Sequence, residues 1–151
     1  ETALMMASYF SLDDSQRGTA SSERYEQAVR MLVEAGASLE NAPHHYTPLA
    51  YAAYQGNDRI VRYLIERGAR VDGDAADGVV YVNTPLMMAA IQGHIDTALW
   101  LLRAGANPRV RIYLGNTAAE LAQKNNHGNL IVALRCAERL APGEAFAQRC
   151  R

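Results

Sequence analysis

Two stretches of this 151-residue chain repeat each other in register, and that self-similarity restricts the possible folds more than any other feature. Thr47-Pro48-Leu49 returns as Thr84-Pro85-Leu86. Each is followed by a pair of alanines, Ala52-Ala53 and Ala89-Ala90, then by a glycine, Gly56 or Gly93. Each ends in Gly-Ala, at Gly68-Ala69 and Gly105-Ala106, and Thr47 to Gly68 and Thr84 to Gly105 both span 21 residues. A unit that recurs in this way cannot bury its apolar face alone; it must stack on its neighbours.

Weaker copies flank the central pair. Thr2-Ala3-Leu4-Met5-Met6-Ala7 mirrors Thr84-Pro85-Leu86-Met87-Met88-Ala89, and its Gly36-Ala37 arrives late, so an insert is expected over about 10–22. The polar stretch 11–24 is the nearest thing to a linker. A last copy starts at Thr117-Ala118-Ala119, after a turn-like Gly115-Asn116, and has no closing Gly-Ala. Within each unit the local chemistry reads as two helices. Thr47 and Thr84 suit the N-cap, with Pro48 and Pro85 at the first helical position. Ile60, Val61, Leu64 and Ile65 fall at helical spacing, as do Ile95, Ala98, Leu99, Leu101 and Leu102. Gly36, Gly68 and Gly105 suit the left-handed position that ends a helix. The expected helices are 3–9, 23–35, 48–54, 58–67, 85–91, 95–104, 118–124 and 130–139, with no extended sheet.

This pattern resembles the ankyrin repeat, a helix–turn–helix unit with a β-turn, of about 33 residues. The resemblance runs to about Leu140 and is most specific in the two central copies. It implies an all-α solenoid of about four repeats with β-turn fingers: one domain over 1–151, with repeats at about 1–39, 40–71, 72–108 and 109–140 and a C-terminal cap at 141–151. The chain departs from the family pattern where a His commonly follows Thr-Pro-Leu. Met5, Ala50, Met87 and Glu120 stand there, which removes a usual inter-repeat hydrogen bond and predicts a less regular stack. His94 keeps the usual Gly-His pair, which implies a bond to local backbone.

Composition narrows the function. Hydrophobic residues make up 49%, enough for a sizeable core. The formal net charge is −1, which argues against nucleic acid, whose capture needs a basic face. No apolar run is long enough to cross a bilayer. Lys124 is the only Lys among many Arg, and with abundant Ala this hints at a GC-rich bacterial genome.

No catalytic constellation stands out, and no enzyme activity, cofactor, metal or small-molecule substrate is expected. The run 72–83 faintly resembles a calcium loop. Ala76 sits where a third ligand belongs, and Asn83 replaces the closing bidentate Glu, so a solvated acidic turn is the simpler reading. His44-His45 lacks partnering Cys, Asp or Glu and reads as a loop pair.

Cys136 and Cys150 flank a turn signal at Ala141-Pro142-Gly143, after which a short helix over 144–149 could fold back. A disulfide would close a loop of about fifteen residues and stabilise the terminal repeat by about 3 kcal/mol in the chain-entropy picture. The other reading is two unrelated thiols. A bond would place the chain outside the reducing cytoplasm, in a periplasm or secreted; without it, a cytoplasmic home stands.

The resemblance also implies where a protein partner sits: on the concave surface made by the fingers and the first helices. Carried over by position, this selects Tyr46, Tyr54, Gln55, Tyr81, Asn83, Ile91, Gln92 and Tyr113. The fingers would be 41–46, 72–83 and 109–116, which also carry Val79, Val80, Ile112 and Asn116. Bare tyrosines on a groove are favoured interface anchors; the alternative is packing between adjacent fingers. Three functions remain in view: a bacterial extracytoplasmic binder of the periplasmic stress-related or toxin-neutralising immunity kind, an effector that engages a host protein, and an enzyme, for which no polar pocket is evident.

Overall fold

The computed structural model describes residues 2–11, 19–40, 45–73, 75, 78–113 and 115–150. The helices come in pairs: α1 (Ala3–Phe10) with α2 (Thr19–Glu34), α3 (Pro48–Gln55) with α4 (Asp58–Glu66), α5 (Pro85–Gln92) with α6 (Ile95–Arg103), and α7 (Ala118–Lys124) with α8 (Gly128–Glu138). A short α9 (Phe146–Arg149) closes the chain. The first helices of the pairs pack in the order α1, α3, α5, α7 and form an inner row; α2, α4, α6 and α8 form the outer row in the same order. Between them runs one core, from Leu4 through Leu49, Leu64, Leu86 and Leu101 to Leu130 and Leu134. The Ala pairs are the closest-packed part of it: Ala52, Ala53, Ala89, Ala90 and Ala119 are fully buried, because a methyl side chain lets neighbouring inner helices approach. Among the described residues the strands are two-residue pieces, β1 (Val79–Val80) and β2 (Arg111–Ile112), paired in parallel between adjacent fingers.

Each inner helix starts on its Thr. Thr2, Thr47, Thr84 and Thr117 accept a hydrogen bond at Oγ1 from the backbone N–H three residues on, at 3.2, 3.1, 3.2 and 3.4 Å. Three of the four residues that replace the expected His, all but Ala50, are part of the same cap. Met5 and Met87 offer Sδ to the N–H of Thr2 and Thr84, at 3.4 and 3.5 Å, and the Glu120 carboxylate does so for Thr117 at 3.1 Å. A thioether is a weak acceptor, but at a helix start it takes up an N–H that has no intrahelical partner.

The local role given to His94 needs correcting. His94 Nε2 donates to the Tyr54 carbonyl, 3.0 Å away in the preceding repeat. His127 does the same to the Ile91 carbonyl, also at 3.0 Å. Each imidazole lies over the glycine that ends the preceding inner helix. A Cβ on Gly56 would come within 2.5 Å of the His94 ring, and one on Gly93 within 2.5 Å of His127. Both glycines also hold positive φ, so two separate demands exclude a side chain there.

Three helix starts differ from expectation. Helix α2 begins at Thr19, inside the stretch read as insert, because Ser and Thr are well tolerated in a first turn; Ser22 is buried there. Residues 12–18 of that insert lie outside the described residues. Helix α8 starts at Gly128 rather than 130, directly after the anchored His127. The last helix starts at Phe146 rather than 144, because Glu144 is used in the turn, where its carboxylate accepts from the Ala141 N–H at 2.9 Å.

The repeats are also latched at their loops. Glu40 accepts from the Arg70 N–H at 2.6 Å, and Asp72 from the Asn107 N–H at 3.1 and 3.0 Å. Arg109, at the corresponding place of the third repeat, donates to the Glu138 and Leu140 carbonyls that end α8. Phe146 is buried in the core, and α9 packs on α6. The Cys136 and Cys150 sulfurs lie 2.01 Å apart, with 5.8 Å between their Cα atoms.

Candidate partner-binding groove

An α-helix brings residues three apart onto one face. On every inner helix, the residues four and seven after the capping Thr do this job. The first position holds Met6, Tyr51, Met88 and Leu121; the second holds Tyr9, Tyr54, Ile91 and Lys124. These two rows form the groove floor. The fingers stand beside it, with Tyr81 and Tyr113 at their ends.

The floor is richest in rings at the N-terminal end. Tyr9 meets Tyr51 edge-on at 5.6 Å and stacks on Tyr54 at 6.4 Å, and Tyr46 meets Tyr51 at 5.8 Å. Met6 and Tyr9 remain 41% and 38% exposed, so one side of this cluster is bare. Tyr46 and Tyr54 are half-buried and pack on the core. Tyr54 is therefore only partly open to the groove, with the Tyr9 ring stacked on it. In the fingers, Tyr81 and Tyr113 stack on each other at 5.4 Å yet stay 60% and 57% exposed. They pack between fingers and face solvent at once.

The remaining sequence-selected positions frame this surface. Gln55 and Asn83 are half-buried, Ile91 is half-buried on the floor, and Gln92 is exposed at the end of α5. Tyr81 and Asn83 line a small cavity of about 150 Å³ with His45, Arg70, Asp72 and Val79. Burial there raises the Asp72 carboxyl from 3.8 to about 6, against the opposing pull of its Asn107 hydrogen bond. Positions 41–44 of the first finger, Asp74, Ala76 and Asp77 of the acidic turn, and His44 lie outside the described residues.

Sequence reasoning missed Met6, Tyr9, Tyr51, Met88 and Leu121. The signal was present: once the Thr caps set the register, the spacing of three between the two rows follows from helix geometry.

The C-terminal end of the groove is polar and internally satisfied. Arg111 donates to both carboxylate oxygens of Glu120 at 3.1 Å. Asn116 donates to the same carboxylate at 3.0 Å and accepts from Lys124 at 2.7 Å. The Asn116 and Arg111 bonds lower the Glu120 carboxyl from 4.5 to about 2, so it stays ionised.

Family models described as ankyrin repeats match residues 18–75 and 49–102. The chain is 42% identical over 85 residues to Palmitoyltransferase Hip14 of Drosophila melanogaster, covering 55% of this chain and 13% of that protein. It is 34% identical over 109 residues to Dauer abnormal formation protein 25 of Caenorhabditis elegans, covering 72% and 27%. It is 35% identical over 121 residues to Cyclin-dependent kinase inhibitor 2A of Homo sapiens, covering 79% and 74%. The chain thus spans well under two thirds of the first two of these relatives, and about three quarters of the third.

Proposed function

The chain belongs to the ankyrin-repeat family, which makes it a protein–protein interaction module, and from that premise we propose that it holds its partner in the groove between the inner helices and the fingers. The observation that carries this reading is the large apolar and aromatic side chains left bare at two places beside it, Met6 and Tyr9 on α1 and the stacked pair Tyr81 and Tyr113 on the fingers. Apolar and aromatic surface is costly to leave in water, and tyrosine adds a polar tip that a partner backbone can engage. The human relative's name, an inhibitor of a kinase, fits a module that acts by occupying another protein. The test is site-specific photocrosslinking in cells, with a benzoyl-phenylalanine at position 54 or 81 and a control at position 62 on the outer row. A protein adduct is expected from 54 and 81 only. Adducts confined to position 62 would move the interface to the convex side.

The biological setting proposed is an extracytoplasmic, bacterial one, with the chain acting in a stress response or neutralising a secreted toxin. Its support is the Arg-rich, Lys-poor composition and the pair Cys136 and Cys150 at bonding distance. Thiol alkylation of protein taken from its native compartment should find no reactive sulfhydryl. Two free thiols would favour the cytoplasm, or delivery into a host cell as an effector. A toxin-neutralising role predicts that co-expression of the chain rescues growth from the toxin of a neighbouring gene.

A further inference from the structure

Helices α1, α3 and α5 together contain no Asp, Glu, Lys or Arg: their sequences are ALMMASYF, PLAYAAYQ and PLMMAAIQ. The groove floor they build leaves Met6 and Tyr9 exposed and Tyr51, Tyr54 and Ile91 half-buried. Among the described residues, the charges at the C-terminal end of the groove, Glu120 and Arg111, already satisfy each other in a two-pronged pair, Lys124 is held by Asn116, and beside the fingers Asp72 accepts from the Asn107 N–H and Arg70 pairs with Glu40. A partner that engaged those charges would first have to break these bonds.

We infer that the part of the partner crossing α1, α3 and α5 is an uncharged segment rich in aliphatic or aromatic side chains. This rests on the groove being the partner site. An ionised side chain laid on this floor would lose water and gain no opposite charge, which is strongly unfavourable. A methyl-bearing or aromatic side chain would instead cover Met6, Tyr9 and Ile91 and release water from both surfaces. Association driven in this way is nearly independent of salt, because no surface charges have to meet.

The full chain, immobilised through a C-terminal tag, is panned with a phage-displayed random dodecapeptide library. Enriched peptides are resynthesised and titrated at about 0.05 and about 0.5 M NaCl, where screening of exposed charges differs several-fold in range. Expected are peptides with a charge-free centre, whose affinity changes less than about threefold with salt. Ile91→Glu or Tyr9→Glu should weaken them at least about tenfold, as a desolvated unpaired charge does. Melting curves of both variants confirm that the fold persists, and Arg62→Ala on the outer row should leave the peptides bound as before. Charged peptides whose binding collapses in salt, yet is lost in Ile91→Glu, would overturn the inference and leave the groove reading intact. Uncharged peptides indifferent to Ile91→Glu and Tyr9→Glu would overturn the groove reading itself. A library that yields no peptide sensitive to these variants would overturn the inference, since the floor would then take no linear apolar segment.

Discussion

Helices α3 and α4 are successive, nearly equal in length and joined by two residues, yet they hold the stack by different means. The inner helix, PLAYAAYQ, has no charge and packs by small size, with Ala52 and Ala53 fully buried. The outer helix, DRIVRYLIE, has four charges and packs by reach. Arg30 of α2 lies over the Tyr63 ring of α4 at 4.4 Å, and Arg62 of α4 lies over the Trp100 ring of α6 at 4.6 Å. The two rungs use equivalent repeat positions, so an arginine of one repeat stacks on an aromatic of the next. Arg59 with the half-buried Glu26 at 3.8 Å and the exposed Arg67–Glu34 pair at 3.6 Å add ion pairs on the same side. Close backbone approach leaves α1, α3 and α5 of the inner row an uncharged face; long side chains give the outer row a solvated one.

The largest expected effect lies at the end of the outer row. If the Cys136–Cys150 bond is formed in the functional protein, reducing it should lower stability by about 3 kcal/mol by releasing the loop-closure constraint. Hydrogen exchange should show lost protection in α8 and α9 and little change in α1 and α3. Uniform loss along the stack would mean that the cap controls the whole solenoid and that the two rows cannot be separated there.

Next comes the inner row. Ala89→Leu inserts three heavy atoms where α3, α5 and α7 meet, and should cost roughly 1–3 kcal/mol in chemical denaturation. A cost near zero would show that the inner helices are not held at Ala-limited distance.

A smaller effect is expected from the stacking rungs. Arg62→Ala should cost roughly 0.5–1 kcal/mol and alter the fluorescence of Trp100, the single tryptophan. A loss as large as that of Ala89→Leu would put the outer row on a par with the inner.

The smallest effect is a pH slope at the loop latch. The folded chain holds the Asp72 carboxyl at about 6 against an ordinary 3.8, chiefly through burial. Between those values the unfolded chain gives up this proton before the folded one does. The Asp72 contribution is therefore fully present below about 3.8 and is lost as pH rises through about 6. Asp72→Asn should flatten that part of the stability–pH curve. An unchanged slope in the variant would assign it to other groups.

Much of this was legible in the chain. The Thr-Pro pairs located the starts of α3 and α5, since a hydroxyl cap and a residue without N–H serve a helix only at its first turn. Helix α7 spans Ala118–Lys124 as the pattern predicts. The start of α2 was not legible, because a Ser-rich stretch suits a loop and a helix's first turn equally. On the candidate site, the finger tyrosines were found by position, but Tyr9 and Tyr51 were not; their place depends on how helices from different repeats line up.

What the sequence by itself determined is the unit: its register, its caps, its glycine ends and its stacking, because these follow from local backbone chemistry and from the need to bury one helical face. Only the tertiary structure decided what the units do to one another. It put the His94 and His127 rings over Gly56 and Gly93 of the preceding repeats, 38 and 34 residues away in sequence. It covered one face of Tyr54 with Tyr9 and left Tyr81 and Tyr113 stacked but open. Those outcomes depend on the distance and angle between repeats, which the packing of all the inner helices sets together and no single repeat encodes.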